Sequence, residues 1–149
     1  MQPKDIMNKI EEILSDVKIA VLASIDTDQA PRLRWMSPVV LDSRPNAIYT
    51  ISSPHFQKIH QLENNPQVEW MIQTLDISEV VNVKGKINII DNPALKAEVI
   101  EKMDDRLNVF WRLSSEETDF LVLETIIEEA SYYLPMRPTK NTVRFSDRK

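Results

Sequence analysis

The sequence predicts a mainly β fold with flanking α-helices, an antiparallel β-barrel. Three observations carry this reading. Apolar segments over residues 18–26, 31–41 and 47–52 are joined by short polar turns, which is the pattern of an antiparallel meander. A later segment, Glu79 to Asp91, alternates along its length, with Val81, Val83, Ile87 and Ile89 on one side and Asn82, Lys84, Lys86 and Asn88 on the other. The strands, six or seven in all, are short and regularly spaced, and two or three helical segments are left to cover the ends or one side of the barrel.

In chain order, residues 3–16 form an amphipathic helix. Ile6, Met7, Ile10, Ile13, Leu14 and Val17 recur at helical spacing, and Lys4, Asp5, Lys9, Glu11 and Glu12 occupy the other face. Residues 18–26 (KIAVLASID) read as a buried strand, followed by a hairpin turn at Thr27–Ala30. Pro31 opens a strand running to Leu41, and Asp42-Ser43-Arg44-Pro45-Asn46 is turn chemistry. Ala47 to Ser52 is the third strand. A helix starts at Pro54, with Phe56, Ile59 and Leu62 facing inward, and stops at Asn64-Asn65-Pro66. Gln67 to Thr74 is a strand, and so is Glu79 to Asp91, with Gly85 at a bulge or close backbone approach. Pro93 begins a helix that runs to Asp104-Asp105. Over 106–118 no period wins, although Ser114-Ser115-Glu116-Glu117 resembles a helix start. Asp119 to Ile127 is a strand, Glu128 to Tyr133 a single turn, and residues 136–144 a loop with a last short strand at Thr142–Phe145.

Length and composition narrow the function classes. At 149 residues the chain is expected to be one domain, 1–149, able to bury a core without disulfides or metal. The absence of cysteine excludes disulfides, thiol catalysis and cysteine-ligated metal sites, and agrees with a reducing cytosol. A net charge of −5 argues against a general nucleic-acid binder, which would carry a basic face. No apolar run approaches the roughly 20 residues of a membrane span, and residues 1–6 have no signal-like apolar region, so a cytoplasmic location is expected. Gly85 is the only glycine, which excludes glycine-rich phosphate loops and dinucleotide fingerprints.

Familiar catalytic sites also find little support. His55 and His60 are the only histidines, and they lie roughly 140° apart on a helix, so they do not share a metal ion. There is no Gly-x-Ser-x-Gly elbow for a serine hydrolase. The acidic pairs, such as Glu11-Glu12 and Glu128-Glu129, read as solvated faces. Trp35, Tyr49, Trp70 and Trp111 suit core or interface positions as well as stacking on a planar ligand.

The stretch Pro31 to Lys58 stands apart. Ser53 can cap the helix that Pro54 begins, and its first turn presents free N–H groups and the positive dipole end. Lys58 adds a charge one turn in, and Arg34 on the preceding strand adds another. This would hold a phosphate. The same residues suit an ordinary capped helix with both cations in solvent, and on their own they leave the two readings open.

The order of these elements resembles the pyridoxamine 5′-phosphate oxidase-like FMN-binding split barrels, and within them the short general stress protein branch. The similar stretches are VLASIDTDQAPRLRWMSPVVLD, AIYTISSPHFQKIHQLENNPQVEWMI, VVNVKGKINIIDNP and DFLVLETIIEEASYY, which extend over most of Val17 to Tyr133. The resemblance implies a six-stranded antiparallel split barrel and a homodimer with FMN in clefts at its interface. It also implies FMN-binding roles for Arg34, Trp35, Met36 and Ser37 along the flavin. Ser52 and Ser53 would lie at the end of the third strand, Lys58 on the phosphate and Gln73 at the flavin's polar edge. Trp111 would reach a flavin across the dimer. Phe56 stands where the family often has a small hydroxyl residue, so one phosphate contact is missing or is supplied by Ser53. Gln29 stands where the first hairpin usually has glycine. Residues 136–140 match the substrate-gripping end of the vitamin B6 oxidases poorly, so that activity is not assigned. The implied function is an FMN-dependent oxidoreductase of a small molecule, linked to stress response, with no catalytic side chain named. The alternatives are a non-catalytic flavin- or haem-binding module and a deazaflavin-dependent reductase.

Overall fold

The computed structural model describes residues 1–53, 57–103 and 120–145. Helix α1, Pro3–Val17, starts with proline at its first position, and Asp5 Oδ2 accepts a hydrogen bond from the Gln2 N–H at 2.8 Å. It stops at Lys18, whose left-handed backbone (φ 69°) lets its N–H return to the Leu14 carbonyl at 2.9 Å. Its buried face is Ile6, Met7, Ile10, Ile13 and Leu14, the face that the periodicity predicts.

The strands are β1 (Ala20–Ile25), β2 (Pro31–Met36), β3 (Val39–Leu41), β4 (Arg44–Ser52), β5 (Gln67–Gln73), β6 (Val80–Ile90), β7 (Leu121–Tyr133) and β8 (Lys140–Arg144). All pair antiparallel, in the order β2-β1-β5-β6-β7-β4-β3, with β8 on β7. The sheet curls into a half-barrel, consistent with a split barrel. Helices α2 (Gln57–Asn64) and α3 (Pro93–Met103) flank it.

The structure changes several expected boundaries. The single strand Pro31–Leu41 is broken at Ser37-Pro38, because proline has no N–H for a ladder, and so counts as two. The turn expected over 42–46 shrinks to Asp42-Ser43, and β4 begins at Arg44. Residues 128–133, expected as a separate turn, continue β7 against both β6 and β8. A bulge explains the misreading. Gly85 pairs with Ile127 and Lys84 with Glu129, so Glu128 is the extra residue and the apolar alternation skips a step there. Gly85 is required at that point: a Cβ there would collide with the Ile126 carbonyl oxygen.

Two apolar clusters lie on the two sides of the sheet. The larger joins α1 and α2 to the inner face, with Leu22, Ile48, Trp70, Ile72, Val81, Val83 and Leu123. At its centre the fully buried Trp70 donates from Nε1 to Thr125 Oγ1 at 3.0 Å, so the one polar atom of the indole is satisfied. The smaller cluster packs Leu95, Val99 and Met103 of α3 on Val39, Tyr49, Ile51 and Val122. There the buried Tyr49 hydroxyl donates to Glu124 Oε2 at 2.7 Å, and Asn88 donates to Glu124 Oε1 at 3.1 Å. These bonds satisfy a carboxylate that would otherwise be costly to bury.

Candidate functional site

The two edge strands of the sheet, β2 and β3, are consecutive in sequence, and only Ser37-Pro38 separates them. The chain therefore crosses the open side of the half-barrel at that point. Thr50 Oγ1 donates to the Ser37 carbonyl at 3.0 Å and ties the crossing to the end of β4. Next in sequence come Ser52 and Ser53, both buried, and then α2, which packs against β1 and β6.

Alternation along β2 decides which of its side chains enter this corner. Arg34 pairs with Leu22 of β1, a core residue, and so points inward with Met36, which packs against the main core. Leu33 and Trp35 point the other way and are 72% and 70% exposed. The Arg34 guanidinium passes under α2. Its Nη2 lies 3.4 Å from Ser24 Oγ on β1 and 3.5 Å from Gln61 Oε1 on α2, both long contacts to neutral oxygens. Arg34 Nε is buried with no hydrogen-bond partner. A buried, charged donor left unsatisfied is unusual and points to a missing acceptor.

Lys58 lies one turn before Gln61 and is 8% exposed. Burial first, and the Arg34 charge second, push its pKa from 10.5 down to about 8. Burial first, and Arg32 second, lower that of Arg34 as well. Lys58 and Arg34 thus stand near enough to repel each other, an arrangement that an anion between them would relieve. The donors suit a phosphate: a guanidinium edge and an ammonium. Ser52 Oγ already donates to the Ser53 carbonyl at 3.3 Å.

The nine expected site residues are therefore not all together. Arg34 and Lys58 meet at the inner corner, Ser37 lies at the crossing, and Ser52 and Ser53 are buried at the end of β4. Met36 also faces inward. Trp35 faces outward, on the other side of β2 from Met36. Gln73, two residues beyond the outward Met71 on β5, lies on the Trp35 side of the sheet. Trp111, like Pro54 and Phe56, lies outside the described residues. Ser24 and Gln61 were not expected. Both carried a signal: Ser24 follows Leu22 at the two-residue period of an inward face, and Gln61 follows Lys58 at the three-residue spacing of a helix.

A groove of about 480 Å³ opens on the outward side of β1, β5 and β6, opposite Arg34, where Ile25, Gln67, Glu69 and Lys84 line it. Its volume is in the range of small-molecule sites. No other described cluster has the character of the Arg34 corner. Lys9 and Glu79 pair at 2.9 Å and Tyr132 donates to Glu79 at 2.6 Å, but these contacts pin α1 to the sheet.

Comparison with known proteins agrees with the fold. The family described as pyridoxamine 5′-phosphate oxidase matches residues 6–134. A protein from Clostridium acetobutylicum related to general stress protein 26 is similar in structure, with a TM-score of 0.73 over 97% of this chain and 96% of that one at 16% identity. A pyridoxamine 5′-phosphate oxidase-related, FMN-binding protein from Nostoc punctiforme is similar over 93% of this chain and 86% of that one, with a TM-score of 0.69 at 13% identity. A haem-binding protein from Mycobacterium smegmatis is similar over 91% of this chain but 56% of that one, with a TM-score of 0.70 at 13% identity. A comparison with curated proteins finds no match.

Proposed function

The chain belongs to the pyridoxamine 5′-phosphate oxidase family, and from that premise we propose that it binds FMN and acts as a homodimeric, FMN-dependent oxidoreductase on a small molecule. One observation carries the reading. Two buried or half-buried cations, Arg34 and Lys58, meet at a corner where the Arg34 Nε has no acceptor. The terminal phosphate of FMN would supply that acceptor and relieve the repulsion.

In this reading Arg34 and Lys58 hold and orient the phosphate. FMN, when bound, supplies hydride and electron transfer, while the protein sets position and electrostatics. The outward Trp35, Leu33 and Gln73 are available to a second copy of the chain. That arrangement accounts for a large aromatic ring left 70% exposed on one chain. No side chain is assigned to proton transfer.

The similarity to a haem-binding protein favours a second reading, a cofactor-binding module without turnover. The absorption spectrum of the purified protein, followed by anaerobic addition of NAD(P)H, separates the two. A flavin spectrum bleached by NAD(P)H and restored by an acceptor supports the oxidoreductase. A flavin spectrum that no donor bleaches, or a Soret band, supports the module.

A further inference from the structure

Resting on the FMN reading, we propose that Gln61 is a positioning residue that sets the site's preference for a terminal phosphate monoester. Its neutral amide oxygen, together with Ser24 Oγ, holds one end of Arg34 without cancelling its charge. The argument starts from what buried cations require. An arginine drawn under a helix is ordinarily matched by a carboxylate, because an unpaired buried charge is costly. Here the two oxygens at Nη2 belong to Gln61 and Ser24, at 3.5 and 3.4 Å, and neither carries charge. The Nε remains buried and unpartnered. The guanidinium is steered by acceptors at one end and left unsatisfied at the other.

Position on α2 explains why Gln61 can do this. It follows Lys58 by three residues, so the two side chains lie on neighbouring parts of one helix face, and Lys58 is close enough to Arg34 to feel its charge. A carboxylate at position 61 would reach the same Nη2 atom and bring a negative charge beside both cations. It would then compete with any anion for them. A glutamine gives the same hydrogen bond and leaves the positive charge for the ligand. The ligand class that makes fullest use of this is a phosphate monoester dianion, as at the end of FMN. A flavin without phosphate would gain nothing from it.

The test titrates the wild-type protein, Gln61→Glu and Gln61→Met with FMN and with riboflavin, following flavin fluorescence. Glu is the same shape as Gln, and riboflavin affinity reports whether the rest of the site is intact. The expected result is a fall in FMN affinity of at least about tenfold for Gln61→Glu, the scale of one charged hydrogen bond, with riboflavin affinity unchanged. Gln61→Met, which lacks the acceptor but adds no charge, should lower the FMN-to-riboflavin ratio less, by about threefold. If Gln61→Glu does not fold, the Met variant decides, and an unchanged ratio overturns the role of Gln61. A wild-type preference for FMN that Gln61→Glu leaves intact overturns it as well, without touching the FMN reading. A wild-type protein that does not prefer FMN to riboflavin removes the phosphate reading itself, and this inference with it.

Discussion

Arg34 on β2 and Lys58 on α2 are brought together although 23 intervening residues form two strands between them, and the Arg34 charge helps to hold Lys58 at a pKa of about 8. A phosphate beside Lys58 would be held by its charge. Lys58→Ala should therefore weaken FMN binding by roughly 10- to 150-fold, the equivalent of about 1.5–3 kcal/mol for a charged hydrogen bond, and leave riboflavin binding unchanged. Fluorescence titration measures both. Equal losses for the two flavins would mean that Lys58 supports the fold of the corner rather than the phosphate.

The same lysine gives the cofactor-free protein a distinctive pH dependence. Its folded pKa, about 8, lies below the ordinary 10.5 of the unfolded chain. Between those values the unfolded state binds the extra proton, so stability rises as pH increases through that interval, by up to about 3 kcal/mol. FMN binding runs the other way: the phosphate favours protonated Lys58, and affinity should fall as pH rises above about 8. Urea unfolding and FMN titration from about pH 7 to 10 check the two signs. Lys58→Met should flatten both slopes, and a wild-type protein with neither slope would show that Lys58 titrates normally.

Turn chemistry supplies a stability prediction independent of the site. Gln29 sits at φ 64° in the β1–β2 hairpin, a conformation that costs a non-glycine residue roughly 1–2 kcal/mol. Asp26 holds the turn in place: its Oδ1 accepts from the Asp28 and Ala30 N–H groups at 2.9 Å and its Oδ2 from Arg32 Nε at 2.7 Å. Gln29→Gly should therefore stabilise the protein by about 1 kcal/mol, read as a higher urea midpoint with an unchanged slope. No shift, or a lower midpoint, would mean that the turn tolerates glutamine without strain.

The outward side of β2 tests the proposed dimer. Leu33 and Trp35 are 72% and 70% exposed on one chain. Trp35→Glu should convert a dimer to monomers in sedimentation velocity while leaving the unfolding free energy of the chain within about 0.5 kcal/mol, as for other exposed positions. A wild-type monomer, or a variant that stays dimeric, would place the partner's surface elsewhere or remove it.

Periodicity made most of the fold legible. The buried face of α1 and the alternation of β6 follow from spacing alone, because the core lies on one side of each. β7 was not legible past Ile127, because the bulge at Glu128 shifts the register and puts two glutamates where an apolar residue was due. In the site, alternation along β2 separates Arg34 from Trp35. It did not foretell which of them goes inside, since tryptophan is the more usual core residue. The structure turns Arg34 inward under α2, and Ser24 and Gln61 became visible as its neighbours only then.

Binding of FMN is the central claim, and equilibrium titration of the purified, cofactor-free protein with FMN tests it most directly. Quenching of flavin fluorescence that saturates in proportion to protein, with riboflavin bound at least about tenfold more weakly, is the predicted result. A protein that leaves FMN fluorescence unchanged at every concentration would contradict it.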